Sequence, residues 1–214
     1  MRARVIFVLA MIGAGAMAAH NDVTARVNRA VAVLDSMTTG NGAVKAEQLA
    51  NADCVAVIPG FKKGAAVVGV GYGRGFMSCR KDGGWSAPAA VTLESGSLGV
   101  QVGGEEIDIV ILSLDPSKRA KLLSERFAVG TDASAAWGNG KTAHEDPNAK
   151  ILFFGHTKGM FGGFGLDGAT LLRDESGDKA LYSKSVSNSE IVASSDTPAA
   201  AQALIAKLSA VAKP

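Results

Sequence analysis

GVGYGRGFMSCRK, residues 69–81, is the stretch that decides how this chain folds. Glycine takes every second position, at Gly69, Gly71, Gly73 and Gly75, and alternates with Val70, Tyr72, Arg74 and Phe76. Successive side chains of an extended strand point to opposite faces, so this spacing leaves one strand face without side chains. Glycine weakens a strand through backbone entropy, and close packing against the bare backbone offsets that loss. The spacing predicts a densely packed sheet; a ligand-facing surface is the other use of the same bare face. A dinucleotide loop is excluded. It needs G-x-G-x-x-G at a strand-to-helix turn, whereas here the alternation runs on as strand through Phe76-Met77-Ser78-Cys79.

Upstream, residues 54–58 read as a strand ended by Pro59-Gly60, and residues 61–64 as a turn whose tip carries Lys62 and Lys63. Residues 65–80 would reach roughly 50 Å if fully extended, against a domain about 40 Å across, so the segment is expected to bend at its glycines or to break. Lys81-Asp82-Gly83-Gly84 is a turn signal, followed by a strand through about residue 93. Residues 107–114, nearly all β-branched or leucine, predict a strand buried on both faces. Asp115-Pro116 opens a helix that turns Leu122, Leu123 and Phe127 inward, after which residues 128–136 return to the sheet. Residues 151–172 read as a second glycine-rich pair of strands with a turn at 157–159.

Helical periodicity marks residues 21–37, where Val23, Val27, Ala30, Val31, Leu34 and Met37 form one stripe and Arg26 and Arg29 lie near the polar face. Such a helix docks on its own domain or lies on a membrane surface. A short helix near 45–50 and a last one after Thr197-Pro198, with Leu204, Ile205, Leu208 and Val211 inward, complete the pattern. The expectation is an α+β fold. A glycine-rich, mainly antiparallel sheet curls into a barrel or sandwich, packed by N-terminal, middle and C-terminal helices in one domain over residues 20–214.

Residues 1–19 read as a secretory signal peptide: Arg2 and Arg4, an apolar run over 5–12, then Ala16-Met17-Ala18 or Ala19 at the cleavage site. The expected location is periplasmic or secreted, most simply a bacterial periplasm. The full chain has 22 Lys+Arg against 20 Asp+Glu, and the leader holds two of the basic residues, so the remainder is neutral overall. That removes the global basic footprint of a nucleic-acid binder. Cys54 and Cys79 are a candidate disulfide, worth about 3 kcal/mol by chain-entropy estimates, or two buried thiols. No metal site is expected, because C-x-x-C spacing is missing and His20, His144 and His156 are scattered.

Catalytic signatures are weak. There is no G-x-S-x-G elbow and no paired-carboxylate pattern; Asp108 and Asp167 lie in or beside strands, but nothing in the sequence places a base or nucleophile near them. Gly138-Asn139-Gly140-Lys141-Thr142 imitates the end of a phosphate loop, yet Ala135 stands where glycine is required and no helix pattern follows. The chain is expected to need no cofactor and to be no enzyme.

Several blocks in order carry a resemblance: LANADCVAVIPGFKKGA, GYGRGFMSCR, GGWSAPAAVTL, QVGGEEIDIVIL, FAVGTDASAA and TKGMFGGFGLDGATL. In these the sequence resembles the SYLF domain family, which includes bacterial exported proteins, yeast actin-patch proteins and vertebrate phosphoinositide-binding proteins. Two local departures stand out. Trp137-Gly138-Asn139-Gly140-Lys141 replaces the usual G-P-x-G-R-like loop, and His156 and Asp167 stand where arginine and glutamate are usual. The resemblance implies a non-enzymatic domain that binds acidic lipid head groups and, in some eukaryotic members, actin. Anionic phospholipid at a membrane surface, or an envelope protein, is the expected partner here. Lys62, Lys63, Arg74, Arg80, Lys141 and Lys158 are the candidate lipid-binding residues, since each cation near an anionic membrane adds about 1 kcal/mol.

Overall fold

A computed structural model describes residues 22–39, 44–65, 68–98, 103–128, 135–138, 149–157 and 169–212. Helix α1 covers 22–38, followed by α2 (Ala46–Asn51), β1 (Cys54–Ala65), β2 (Val68–Lys81), β3 (Gly84–Trp85), β4 (Ala89–Leu98) and β5 (Gly103–Ser113). A 3-10 turn at Pro116–Lys118 leads to α3 (Arg119–Leu122), β6 (Arg126–Ala128), β7 (Ala135–Gly138), β8 (Ile151–Thr157) and β9 (Thr170–Arg173). Helices α4 (Glu175–Tyr182), α5 (Asn188–Ala193) and α6 (Gln202–Val211) follow.

Among the described residues the strands form one sheet ordered β6-β9-β4-β2-β1-β5-β8-β7, with β3 paired to β2. Every pairing is antiparallel except β7 with β8. The sheet curls into a half-barrel. Phe127 of β6 and Phe153 of β8 sit near opposite ends of the strand order, yet they share one core with Ile58, Phe61, Met77, Leu93, Ile109 and Leu171.

The glycine ladder explains how the curl closes. Gly71, Gly73 and Gly75 face the inner core. A Cβ on Gly71 would lie 2.3 Å from the Phe61 ring, one on Gly73 2.7 Å from Ile58 Cγ2, and one on Gly75 1.9 Å from the Val57 carbonyl oxygen. The bare face therefore receives Phe61 and Ile58, which are fully buried, and the dense-packing use of the glycines is the one realised. On the outer face, Val55, Val57, Phe76, Val110, Leu112 and Phe154 pack under Val23, Val27, Ala30, Leu34 and Met37 of α1 and Leu204 and Leu208 of α6. Strand β5 is buried on both faces from Ile107 to Leu112, as its composition predicts.

Four local expectations need correction. Pro59-Gly60 does not end β1, which continues to Ala65; it forms a bulge at which the register slips against both β2 and β5. Lys62 and Lys63 are thus strand residues, not a turn tip. Among the described residues β8 and β9 do not pair with each other: β8 pairs with β5 and β7, and β9 with β4 and β6, while residues 158–168, which hold most of the expected turn, lie outside the described residues. The middle helix stops at Leu122, and Phe127 reaches the core from β6 instead. Finally, Arg26 lies 4 % exposed beneath α1, not on its polar face. The leader, Lys141, Lys158 and Asp167 lie outside the described residues.

Candidate functional site

The outer sheet face changes character along four neighbouring strands. On β5, buried Leu112 and Val110 give way to Asp108 and then to exposed Glu106. On β2, buried Phe76 is followed by half-buried Arg74 and then by Tyr72 and Val70, which are 51 % and 63 % exposed. On β8, His156 is exposed two positions after buried Phe154, and on β4 Glu94 is exposed four positions after buried Ala90. Side chains two apart share a face. The change therefore marks where the helix layer stops, and among the described residues the far end of the sheet is bare.

A cleft of about 650 Å³ opens along this boundary. Arg29, Ala32, Val33 and Ser36 of α1 form one wall, and Pro59, Gly60, Lys62, Glu106, Asp108 and His156 of the sheet form the other. The bulge sets it up. Gly60 has φ +61°, a conformation glycine adopts without the Cβ penalty, and its N–H donates to Asp108 Oδ1 at 2.9 Å rather than joining the ladder. In an unbulged strand, strict alternation from Ile58 would turn Phe61 outward and Lys62 inward. The extra residue inverts that order: Phe61 fills the glycine face and Lys62 points to the bare outer face beside its register partners Tyr72 and Glu106.

The six cations expected to meet lipid separate into three groups. Arg74 is committed inside the protein: its Nε donates to Asp174 Oδ2 at 2.7 Å, and its Nη2 donates to Asp174 Oδ1 at 2.8 Å and Ser176 Oγ at 2.6 Å. The hydrogen bond to Asp174 raises its already high pKa. Arg80 is committed too, donating to the carbonyls of Leu49, Ala50 and Ala52 and stacking 4.0 Å over the Trp85 ring. Both guanidiniums are thus engaged by contacts within the protein, which the sequence alone does not show. Lys62 is exposed and, among the described residues, has no ion pair or hydrogen bond; Lys63 pairs through its backbone with Gly71 and Glu105. Lys141 and Lys158 are outside the described residues.

Sequence reading missed Arg29 and His156 as companions of Lys62, because their meeting depends on the docking of α1 and the pairing of β8 with β5, where His156 registers with Asp108. The available signals were the helical spacing that keeps Arg29 off the apolar stripe and the place of His156 where the resembled family usually has arginine.

Behind the cleft, charge is used to hold elements together. Asp174 accepts from Arg26 Nη1 at 2.9 Å as well as from Arg74, and caps α4 by accepting from Gly177 N–H at 2.9 Å. Burial alone would raise its pKa, but Arg74, Gly177 and Ser176 outweigh burial and hold the carboxyl at about 2. One turn on, fully buried Asp178 accepts from the Ala90 N–H at 2.7 Å, and burial pushes its pKa up to about 7. Arg119 clamps Asp53 with two donors at the opposite sheet end, where Cys54 and Cys79 form a disulfide across β1 and β2. No helix among the described residues is long and apolar enough to cross a membrane, and no cluster of metal-ligating side chains occurs among them.

The Ysc84 family model, described as "Las17-binding protein actin regulator", matches residues 94–211. Human SH3 domain-containing YSC84-like protein 1 is 29 % identical over 178 residues, covering 78 % of this chain and 51 % of the relative. Protein YSC84 of Saccharomyces cerevisiae is 28 % identical over 170 residues, covering 72 % of this chain and 36 % of the relative. SH3 domain-containing protein PJ696.02 of Schizosaccharomyces pombe is 32 % identical over 121 residues, covering 51 % of this chain and 28 % of the relative. The chain thus spans about half the length, or less, of these curated relatives, and their names state no catalysed reaction. No solved structure matches. With its family model covering more than half of its length, the chain belongs to the Ysc84 family, the family of SYLF domains that its sequence blocks resemble.

Proposed function

We propose that this chain is a non-enzymatic binding module that docks its bare sheet end on an anionic phospholipid surface. One observation carries the reading: exposed Lys62 registers beside exposed Tyr72, with Val70 on the same strand face and no helix of the described residues above them. A tyrosine places an apolar ring and a polar tip at a membrane interface, and each nearby cation adds about 1 kcal/mol on an anionic surface. Arg29 extends the cationic side, His156 adds a ring N–H donor beside it, and Lys63, Lys141 and Lys158 are carried with them from the sequence. Cosedimentation with phosphatidylcholine vesicles containing phosphatidylglycerol tests it. Binding is expected to rise with the anionic fraction, to fall with salt, and to drop about tenfold in Lys62→Glu; equal binding to neutral vesicles sinks the idea.

A protein surface is the second reading, favoured by the carboxylates of Glu94 and Glu106 among those cations and by the family's description as Las17-binding. One stoichiometric protein captured on the wild type and lost in Tyr72→Ser, with vesicle binding missing from both, would favour it.

We further propose export, on the composition of residues 1–19 and on a disulfide of the kind that persists in oxidising compartments. Protein recovered from an exported fraction should have the mass of the chain without its leader. Intact leader on that material would contradict export by cleavage.

A further inference from the structure

The cleft differs from a plain basic patch in one respect: its charges are mixed. Arg29, Lys62 and His156 line it together with Glu106 and Asp108. The strand order β1-β5-β8 sets the two carboxylates between Lys62 on one side and His156 on the other, with Arg29 facing them from α1. Asp108 is occupied with Gly60. Glu106, Lys62, Arg29 and His156 are exposed, and among the described residues no ion pair or hydrogen bond engages their charged ends. The cleft therefore presents two cations, Arg29 and Lys62, and the His156 imidazole around an acidic strip, with the sheet as a fixed floor. A purely anionic group would be repelled by Glu106, and a purely cationic one by Lys62 and Arg29.

The geometry points to a site for a phosphoester carrying a primary ammonium group, the chemistry of an ethanolamine-type head group, with the phosphate on Arg29, Lys62 and His156 and the ammonium on Glu106. Lys62 and Arg29 offer donors to phosphate oxygens, and a carboxylate accepts the N–H bonds that a primary ammonium offers. A quaternary ammonium has no N–H to give, so a choline ester loses that half of the recognition. This deepens the membrane reading and rests on it only for the lipid source; a soluble ester of the same chemistry would fill the same cleft.

Calorimetric titration of the whole chain with glycerophosphoethanolamine, glycerophosphocholine and glycerophosphoglycerol reads the site directly. The ethanolamine ester should bind about tenfold more tightly than the other two. Glu106→Gln should abolish that preference, and Lys62→Gln should weaken all three esters alike; both positions are exposed, so unchanged urea midpoints are expected and serve as the folding control. Vesicles of phosphatidylglycerol with and without phosphatidylethanolamine separate the sources. Ethanolamine-dependent gain on vesicles, lost in Glu106→Gln, assigns the lipid head group. A soluble-ester preference without vesicle binding supports the cleft and sinks the membrane reading. Vesicle binding with no ethanolamine preference in either format, or a preference that survives Glu106→Gln, overturns the cleft proposal and leaves the membrane reading standing.

Discussion

The covered and uncovered halves of the outer sheet face are built from the same strands and obey the same alternation, yet they use charge in opposite ways. Under the helices, Asp174 sits 6 % exposed among Arg26, Arg74, Ser176 and the Gly177 N–H, and its neighbour Asp178 is fully buried. These buried groups fasten α1 and α4 to the sheet. Past the helices, Lys62, Glu106 and His156 stand exposed with their charged ends unengaged among the described residues, beside Val70 and Tyr72. Equal residue types therefore do not imply equal roles. Arg74 and Lys62 look alike in the sequence, but one is a fastener and the other faces solvent.

That contrast is most easily broken at Asp174. Asp174→Asn keeps a good helix cap but removes the charge facing two arginines, leaving buried Arg26 with only the exposed Asp22 at 3.0 Å and Arg74 with no acid among the described residues. A loss of about 3–5 kcal/mol in urea unfolding is expected; a change within error would mean that the covered half is not held by this pair.

Next in size come the glycines. Gly75→Ala should cost about 1–3 kcal/mol, because its Cβ would meet the Val57 carbonyl oxygen at 1.9 Å, and the β1–β2 backbones would have to part. Gly96→Ala, on the bare end of β4 with nothing within 4 Å of its Cβ, should fall within about 0.5 kcal/mol of wild type. Similar costs at both positions would erase the difference between the packed and open faces.

A pH-dependent effect comes from Asp178. Its folded pKa of about 7 lies above the ordinary 3.8, so the folded chain holds a proton that the unfolded chain has released. Stability from this group is fully present below pH 3.8 and is lost as pH rises through about 7. Asp174, held at about 2, has the opposite sense: its contribution is present above 3.8 and is lost as pH falls toward 2. Relative to wild type, Asp178→Asn should gain about 3 kcal/mol between pH 4 and pH 7. Parallel stability curves for the two proteins would show that burial of Asp178 does not set this slope.

How much of this was legible in the sequence follows from the range of the interactions. The glycine ladder, the two-sided burial of β5 and the stripes of α1 and α6 depend on spacing within one segment, and they could be read directly. Phe61 filling the space over Gly71 and Gly73 could not, because Pro59-Gly60 reads as a stop and only the paired strands reveal a bulge. The partner of Arg74 lies 100 residues away at the cap of α4, in a stretch without a strong periodic pattern. β8 and β9 looked like a hairpin because glycine and apolar residues run between them, whereas strand order is fixed by the curl that brings Phe127 and Phe153 into one core. The candidate site was legible only as one residue, Lys62; its companions Arg29, Glu106 and His156 come from three other elements.

The central claim is that partners meet the uncovered half of the sheet while the covered half only holds the fold. Vesicle cosedimentation and urea unfolding, run in parallel on the double variant Lys62→Glu/Tyr72→Ser, test it most directly. The account predicts at least a tenfold loss of binding to phosphatidylglycerol vesicles with the unfolding midpoint unchanged. Full binding by a variant that remains folded would contradict it.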